Sequence, residues 1–329
     1  MPGRFDGVAF TYGLTSNLAV DLTGGFLVDS SYDSPDSNRP FIGLSGEYSS
    51  DAGNVTIEPF IMQQYVDDIL DRQAIGTQIQ IFSERAMIYS LVDYDIHHSA
   101  LNNVTVKGNI KIRAAQFSAS YEQRKSPYLT TRNALIGQQY ADLSEMEQAI
   151  LDLQLEDIAS DRTATSETIR VGLNASLTKH WTITADLVAS EFSKTESSAD
   201  VIALEAHETL YSSFQVRSAD IFGQASYSAL MLRRTDSDSS ATTSLYWDNR
   251  FSLGNNWRLY PRLRVDQRTF ERTGDEQISI RPTLRLEYSP GRRFKFQLEA
   301  GYQRTEREMV NREMEITGLF VRAGYRASF

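Results

Sequence analysis

Trp257-Arg258-Leu259-Tyr260-Pro261-Arg262-Leu263-Arg264-Val265-Asp266-Gln267-Arg268 separates, taken alternately, into two kinds of residue. Trp257, Leu259, Pro261, Leu263 and Val265 are apolar; Arg258, Tyr260, Arg262, Arg264, Asp266 and Arg268 include four arginines and an aspartate. Successive side chains of an extended strand point to opposite faces. This segment therefore has one apolar face and one charged face.

The pattern recurs at intervals of about twenty residues. Ile278, Ile280, Pro282, Leu284, Leu286 and Tyr288 alternate with Ser279, Arg281, Thr283, Arg285 and Glu287. Phe294, Phe296, Leu298, Ala300 and Tyr302 alternate with Lys295, Gln297, Glu299, Gly301 and Gln303. Earlier copies pair Val104, Val106, Ile110 and Ile112 with Thr105, Lys107, Asn109 and Lys111, and Ile169, Val171, Leu173, Ala175 and Leu177 with Thr168, Arg170, Asn174 and Ser176.

A water-soluble sandwich also alternates, but three further features point to a bilayer. Many strands exceed the usual five or six residues, whereas a tilted membrane strand needs about 9–11. Aromatics (Trp181, Trp257, Tyr288, Phe294, Tyr302) stand near the ends of the apolar stripes, where interfacial girdles fall. Short connections (Thr15-Ser16-Asn17, Gly254-Asn255-Asn256, Ser289-Pro290-Gly291-Arg292) alternate with longer polar ones (Ser30–Arg39, Asp236–Ala241, Thr273–Gln277). The expected fold is all-β, a single domain over residues 1–329: a closed, antiparallel, up-and-down transmembrane β-barrel. Candidate strands start near residues 6, 18, 40, 54, 74, 86, 102, 114, 167, 181, 207, 221, 242, 257, 277, 294 and 315. Bacterial single-chain barrels have even strand numbers, which favours 16 within a range of about 16–18. Pro261 and Pro282 interrupt lipid-facing stripes and are expected to mark bulges.

Composition narrows the function. The 329 residues carry a net charge of -10, so the chain lacks the basic footprint of a general nucleic-acid binder. With no cysteine there is no disulfide framework or thiolate metal site. Abundant aromatics (16 Tyr, 16 Phe) combine with a mean hydropathy of -0.38, as expected where half of each strand faces lipid and half faces water. No apolar run reaches the length of a membrane-crossing helix. The start, Met1-Pro2-Gly3-Arg4, lacks the apolar core of a secretion signal, so a mature form or an excised domain is expected.

Leu319, Val321, Ala323, Tyr325, Ala327 and Phe329 alternate to a terminal aromatic. The segment Gly324-Tyr325-Arg326-Ala327-Ser328-Phe329 resembles the C-terminal assembly signal of Gram-negative outer-membrane barrels, with Gly324, Tyr325 and Phe329 as its marks. That resemblance implies recognition by the barrel-assembly machinery, a periplasmic C-terminus, and outer-membrane lipid and lipopolysaccharide as surroundings. Arg4-Phe5-Asp6-Gly7, Ile69-Leu70-Asp71-Arg72, Leu91-Val92-Asp93-Tyr94-Asp95 and the run Ser126-Pro127-Tyr128-Leu129-Thr130-Thr131-Arg132-Asn133-Ala134-Leu135-Ile136-Gly137-Gln138 resemble the barrel portion of large proteobacterial outer-membrane proteins. Such proteins often place helical repeats in the periplasm, so the resemblance implies N-terminal repeats or another periplasmic partner domain.

Residues 125–166 break the strand rhythm. Within them an amphipathic helix is expected over 143–158, with Met146, Ile150, Leu153 and Asp157 on one stripe and Leu151, Leu155 and Ile158 widening it. Ser144 and Glu147 have the spacing of a capping box. Glu145, Glu147, Asp152, Glu156 and Asp157 make the remaining surface acidic. Such a loop is expected to plug the lumen or to cap its mouth. The charge partner expected for a plug is a basic wall on the inward face of the last four strands: Arg258, Arg262, Arg264, Arg268, Arg281, Arg285, Lys295, Arg322 and Arg326. Rings of Arg and Lys favour anions, but a solvated lumen face balanced by Asp248, Asp266, Glu287 and Glu299 accounts for the same residues.

Asp93, Asp95 and His97 fall on one strand face near a rim. They could activate water or hold a divalent ion, but such neighbours are about 7 Å apart along the backbone and no second catalytic cluster accompanies them, so a polar stripe at a wet rim is the expected reading. No nucleophile elbow or phosphate-binding loop is present, His180 and His207 fall at strand ends, and no cofactor or catalytic residue is expected. The expected function is an outer-membrane pore or export channel passing a hydrophilic solute or polymer. Two alternatives are a non-conducting anchor or scaffold barrel and a surface hydrolase at the rim.

Overall fold

The computed structural model describes residues 5–28, 36–150, 154–291, 293–309 and 312–327. They form seventeen antiparallel up-and-down strands. In chain order these are β1 (Phe5–Gly13), β2 (Leu18–Leu27), β3 (Pro40–Ser49), β4 (Val55–Val66), β5 (Ile69–Phe82), β6 (Ala86–Asp95), β7 (Ala100–Ile112), β8 (Ala115–Ser126), β9 (Ala164–Ser176), β10 (Trp181–Phe192), β11 (His207–Ala219), β12 (Tyr227–Ser237), β13 (Ser240–Leu253), β14 (Trp257–Phe270), β15 (Glu276–Tyr288), β16 (Phe294–Met309) and β17 (Arg312–Ala327). The favoured count of 16 is not the one found among the described residues. No described helix is long and apolar enough to cross a membrane.

The described residues fall into two compact units. The first runs to Ile110 and adds Ser118–Ile169 and Ser190–His207; the second contains Lys111–Phe117, Arg170–Ala189 and the chain from Glu208 on.

In the first unit β1 to β7 form a continuous meander. At one end the strands join through Leu14–Asn17, Ser50–Asn54 and Ser83–Arg85. At the other, β4 and β5 join through Asp67-Asp68, both at positive φ (54° and 65°), the backbone of a two-residue hairpin turn that Asp tolerates. Register shifts occur at two places, Gln64/Tyr65 and Asp93/Tyr94.

In the second unit β11 to β17 form another meander. The connection expected over Asp236–Ala241 is a two-residue turn, Asp238-Ser239, because Asp236 pairs with Ala241 and Ser237 with Ser240. Its polar run belongs to strand ends. The strand expected from about residue 221 starts at Tyr227. No bulge forms at Pro261 or Pro282. The ladder passes Asn249 and Arg250, beside Pro261 and Tyr260, and Arg281-Pro282, then resumes in unshifted register. Each proline costs a ladder hydrogen bond without inserting a residue.

The two faces of each meander are inverted relative to a water-soluble protein. Large apolar side chains are exposed: Val8, Phe10, Ile42, Leu44 and Ile61 in the first unit, and Leu230, Trp247, Leu284 and Leu298 in the second. On the opposite face polar residues are buried, among them Ser244, Asp266, Ser279 and Glu287. Trp257 stacks on Tyr288 at 4.4 Å and Tyr288 on Phe296 at 6.4 Å, an aromatic margin to the apolar band. Exposed apolar area on this scale is unfavourable in water and favourable in hydrocarbon.

Candidate functional site

Between β8 and β9 the chain makes a 3₁₀ turn (Thr131–Leu135) and two helices, α1 (Leu143–Ala149) and α2 (Leu155–Asp161). These replace the single helix expected over 143–158. Leu143 and Met146 of α1 and Leu155, Ile158 and Ala159 of α2 enter one apolar cluster with Val66, Leu129 and Ala134. A straight helix from Leu143 to Ile158 would be about 22 Å long, too long for both ends to meet there. The chain leaves α1 at Ile150 (φ -111°, ψ 78°). The expected cap is also displaced: Asp142, rather than Ser144, accepts from the Glu145 amide at 2.7 Å, and the Glu145 carboxylate accepts from the Ala141 amide at 2.8 Å.

A buried polar cluster holds this insertion to the strand ends of the first unit. Arg72 on β5 is 5 % exposed and pairs with Asp93 and with Asp95, the latter at 3.3 Å. Its guanidinium also lies over the Tyr128 ring at 5.4 Å. Asp71 accepts from the Gln64 amide group and, at 2.7 Å, from the Arg132 backbone N–H. Thr131 donates to the Leu70 carbonyl at 2.9 Å. Asn103 on β7 donates to the Tyr128 hydroxyl at 2.6 Å, and Asn133 donates to Tyr128 O and to Thr163 Oγ1, both at 2.8 Å. The Asp67 turn receives α1, accepting from the Leu143 amide at 3.1 Å and from Ser144 Oγ at 3.3 Å.

Three of the four segments singled out by their family resemblance thus meet here: Ile69–Arg72, Leu91–Asp95 and Ser126–Gln138. Both register shifts of the first unit fall at this cluster. Bulges re-aim side chains, and here adjacent Asp71 and Arg72 are both buried. Arg72, Asp93 and Asn103 lie on the polar face, so the insertion rests on that face, away from the exposed apolar band.

The rim carboxylates are committed to Arg72, and His97 lies in the turn after β6, off the strand face expected for it. His97 Nε2 is 3.5 Å from Glu156 of α2. His98 is half-buried, with its Nε2 3.4 Å from the Asp71 carbonyl oxygen. Burial lowers its pKa from 6.5 against the opposing pull of Asp95.

The basic residues of β14–β17 share the polar face of the second unit, where many are paired. Glu287, 2 % exposed, accepts from Arg258 at 3.1 Å and meets Lys295 at 3.2 Å. Arg262 pairs with Asp248 at 3.1 Å and Arg264 with Asp266 at 2.7 Å. Glu299 stands in register between Arg285 and Arg322, and Lys295 stands opposite Arg326. Of the acidic helix residues, Glu156 is engaged by His97 within its own unit, Glu145, Glu147 and Asp157 are exposed, and Asp152 lies outside the described residues. Gly324 and Tyr325 are on β17, with Tyr325 79 % exposed on the apolar face; Phe329 lies outside the described residues.

Sequence reading missed the roles of Asp71, Arg72, Asn102 and Asn133. Their signal was present in the polar run at the end of a strand, but their partners are 21 to 61 positions away for Asp93 and the Arg132 amide.

Inverted faces, strands of up to 16 residues and an aromatic margin define a protein that crosses a membrane with β-strands. No family model matches the chain, and no curated protein matches it. Among solved structures it is similar to in-vitro folded OmpT, an outer membrane protein of Vibrio cholerae, at 12 % identity over 95 % of this chain and 98 % of that one, with a TM-score of 0.42. It is similar to an anion-selective porin from Comamonas acidovorans at 9 % identity over 98 % and 100 %, with a TM-score of 0.41. A bacterial polysaccharide outer membrane secretin is 7 % identical over 96 % and 100 %, with a TM-score of 0.37.

Proposed function

We propose that the chain is a closed outer-membrane β-barrel that conducts a hydrophilic solute or exported polymer through a charged lumen, and that the 125–166 insertion narrows or closes it. One observation carries this reading: the insertion is seated on the polar face and anchored there by the buried Arg72 cluster. An irregular segment resting on the water-facing side of membrane strands is where a plug or mouth cap belongs. β17, with Gly324 and Tyr325, is the strand that the assembly machinery would read.

The test is single-channel conductance in a planar bilayer, for the full chain and for a chain lacking residues 130–163. A quiet full chain whose shortened form conducts supports a plugged channel. Silence from both, with the β-sheet circular dichroism intact, overturns it in favour of a non-conducting anchor for a periplasmic or surface partner. The tightness of the Arg72 cluster favours that second reading, because a buried ion pair is costly to open. A rim hydrolase would have to release Asp93 or Asp95 from Arg72, and would lose activity on His97→Ala.

A further inference from the structure

On the polar face of the second unit, guanidinium groups lie against aromatic rings. Arg285 is over Tyr260 at 4.2 Å, and Arg264 and Arg233 share Tyr246 at 4.9 and 5.4 Å. Arg268 and Arg307 share Phe270 at 4.5 and 4.3 Å. A guanidinium held flat on a ring keeps its in-plane N–H groups for an acceptor. Stacked Arg268 and Arg285, and Arg281 between them, lack carboxylate partners among the described residues; Arg268 donates one N–H to Ser240 Oγ at 3.0 Å, and the buried Nε–H groups of all three have no acceptor there. Four carboxylates of this face are committed, Asp248 to Arg262, Asp266 to Arg264, Asp275 to Arg307, and Glu287 to Arg258 and Lys295, while Glu299, opposite Arg285 in register, makes no ion pair among the described residues.

Arg264 and Arg281 stand directly opposite each other on neighbouring strands. Like charges in that position are destabilising, and a bound anion would recover the loss. The register puts an arginine at one further level on each side of this pair. Arg285 lies opposite Tyr260, Arg281 opposite Arg264, and Arg268 opposite Gln277. Each level is four residues from the next, about 13 Å at the rise of an antiparallel strand. One such level would serve a small anion. Three in line serve a ligand that engages them together, with the gain in affinity that linkage brings.

We propose that the polar face of β14–β16 is a binding track for an extended polyanion whose charge sits on carboxylate groups. The class follows from this face, where Arg258, Arg262, Arg264 and Arg307 already hold carboxylates and the fork of Arg matches that group in its plane. The proposal deepens the channel reading and rests on it for passage of the ligand, but binding itself needs no current.

The test is calorimetric titration of the full chain in detergent micelles with oligoglutamates of one, three and ten residues. Oligoglutamines of equal length serve as neutral probes and linear polyphosphate as a second anion. A ten-residue extended peptide spans about 33 Å, enough for all three levels. Ten-residue oligoglutamate is expected to bind at least tenfold more tightly than the three-residue form, with oligoglutamine silent. Arg281→Gln and Arg285→Gln should each cost about tenfold and reduce the slope of log affinity against log salt by about one. Arg281→Lys, which keeps charge without the fork, should recover only part of the loss. Circular dichroism verifies that each variant is folded. Length-independent affinity, equal binding of oligoglutamine, or folded arginine variants that bind normally would overturn the track; tighter binding of polyphosphate would overturn the carboxylate assignment. A chain that conducts but does not bind leaves the channel standing without the track, and one that binds but stays silent does the reverse.

Discussion

Asn102 and the backbone of Leu129 are joined by a reciprocal pair of hydrogen bonds: Asn102 Nδ2 donates to Leu129 O at 3.0 Å, and the Leu129 amide donates to Asn102 Oδ1 at 2.8 Å. The side chain acts as one more strand residue, pairing the start of the insertion with β7. Asn102 is fully buried, and it sits where the β6–β7 register shifts.

Asn102→Ala should therefore free the insertion locally. Losing both bonds and leaving a buried amide and carbonyl unpaired costs about 2 kcal/mol. Exchange of the Leu129 amide hydrogen should accelerate about 30-fold, while amides in β13–β15 keep their protection. Unchanged exchange at Leu129 would show that Asn102 does not hold the segment.

Arg72→Ala leaves Asp93 and Asp95 buried without a cation, which costs about 3–5 kcal/mol. Adding Asp93→Asn and Asp95→Asn to that variant should restore much of the loss. Urea unfolding in micelles measures both. If the triple variant is no more stable than Arg72→Ala, the ion pairs are not the source of the effect.

His98 gives the insertion a pH dependence. Its folded pKa is depressed below 6.5, so the folded state disfavours the proton that the unfolded state accepts. The stabilisation is complete above 6.5 and is lost as pH falls from there through the depressed folded value. Groups facing His98 are Asp95, His97 and the Asp71 carbonyl, with Thr131 Oγ1 at 3.4 Å. Hydrogen-exchange protection across 128–135, taken relative to the intrinsic amide rate at each pH, should fall between pH 7.5 and 5, and His98→Asn should flatten that response.

Gly301 sits beneath the Phe320 ring, where an added Cβ would meet Phe320 Cε1 and Cζ. Gly301→Ala should displace the ring at a cost of about 1–3 kcal/mol. Pairing it with Phe320→Leu should recover part of that. The two unfolding midpoints decide the matter, and additivity of the two changes would show that the ring is not what the methyl meets.

Alternation made the strands legible because it is local. Fifteen of the expected starts lie within three residues of those found, from Leu18 and Pro40 to Trp257 and Phe294. The exceptions arose where polarity and pairing diverge. Ile69–Arg72 reads as a connection because Asp71 and Arg72 interrupt the stripe, although β5 begins there; residues 221–226 read as strand although they form a turn. Parity alone places Arg258, Arg262, Arg264, Arg281 and Arg285 on one face, as the register does.

By itself the sequence determined the up-and-down run of strands, the two faces of those whose period is unbroken and the break at 125–166, all of which follow from side-chain period and composition. Tertiary structure alone decided that Arg72 would be spent on Asp93 and Asp95, that the insertion would bend into two helices, and which arginines would keep free edges. Those outcomes depend on register and on contacts between residues distant in the chain. A charge or a helix is satisfied by what lies across from it in space, and no periodicity along the chain records that neighbour.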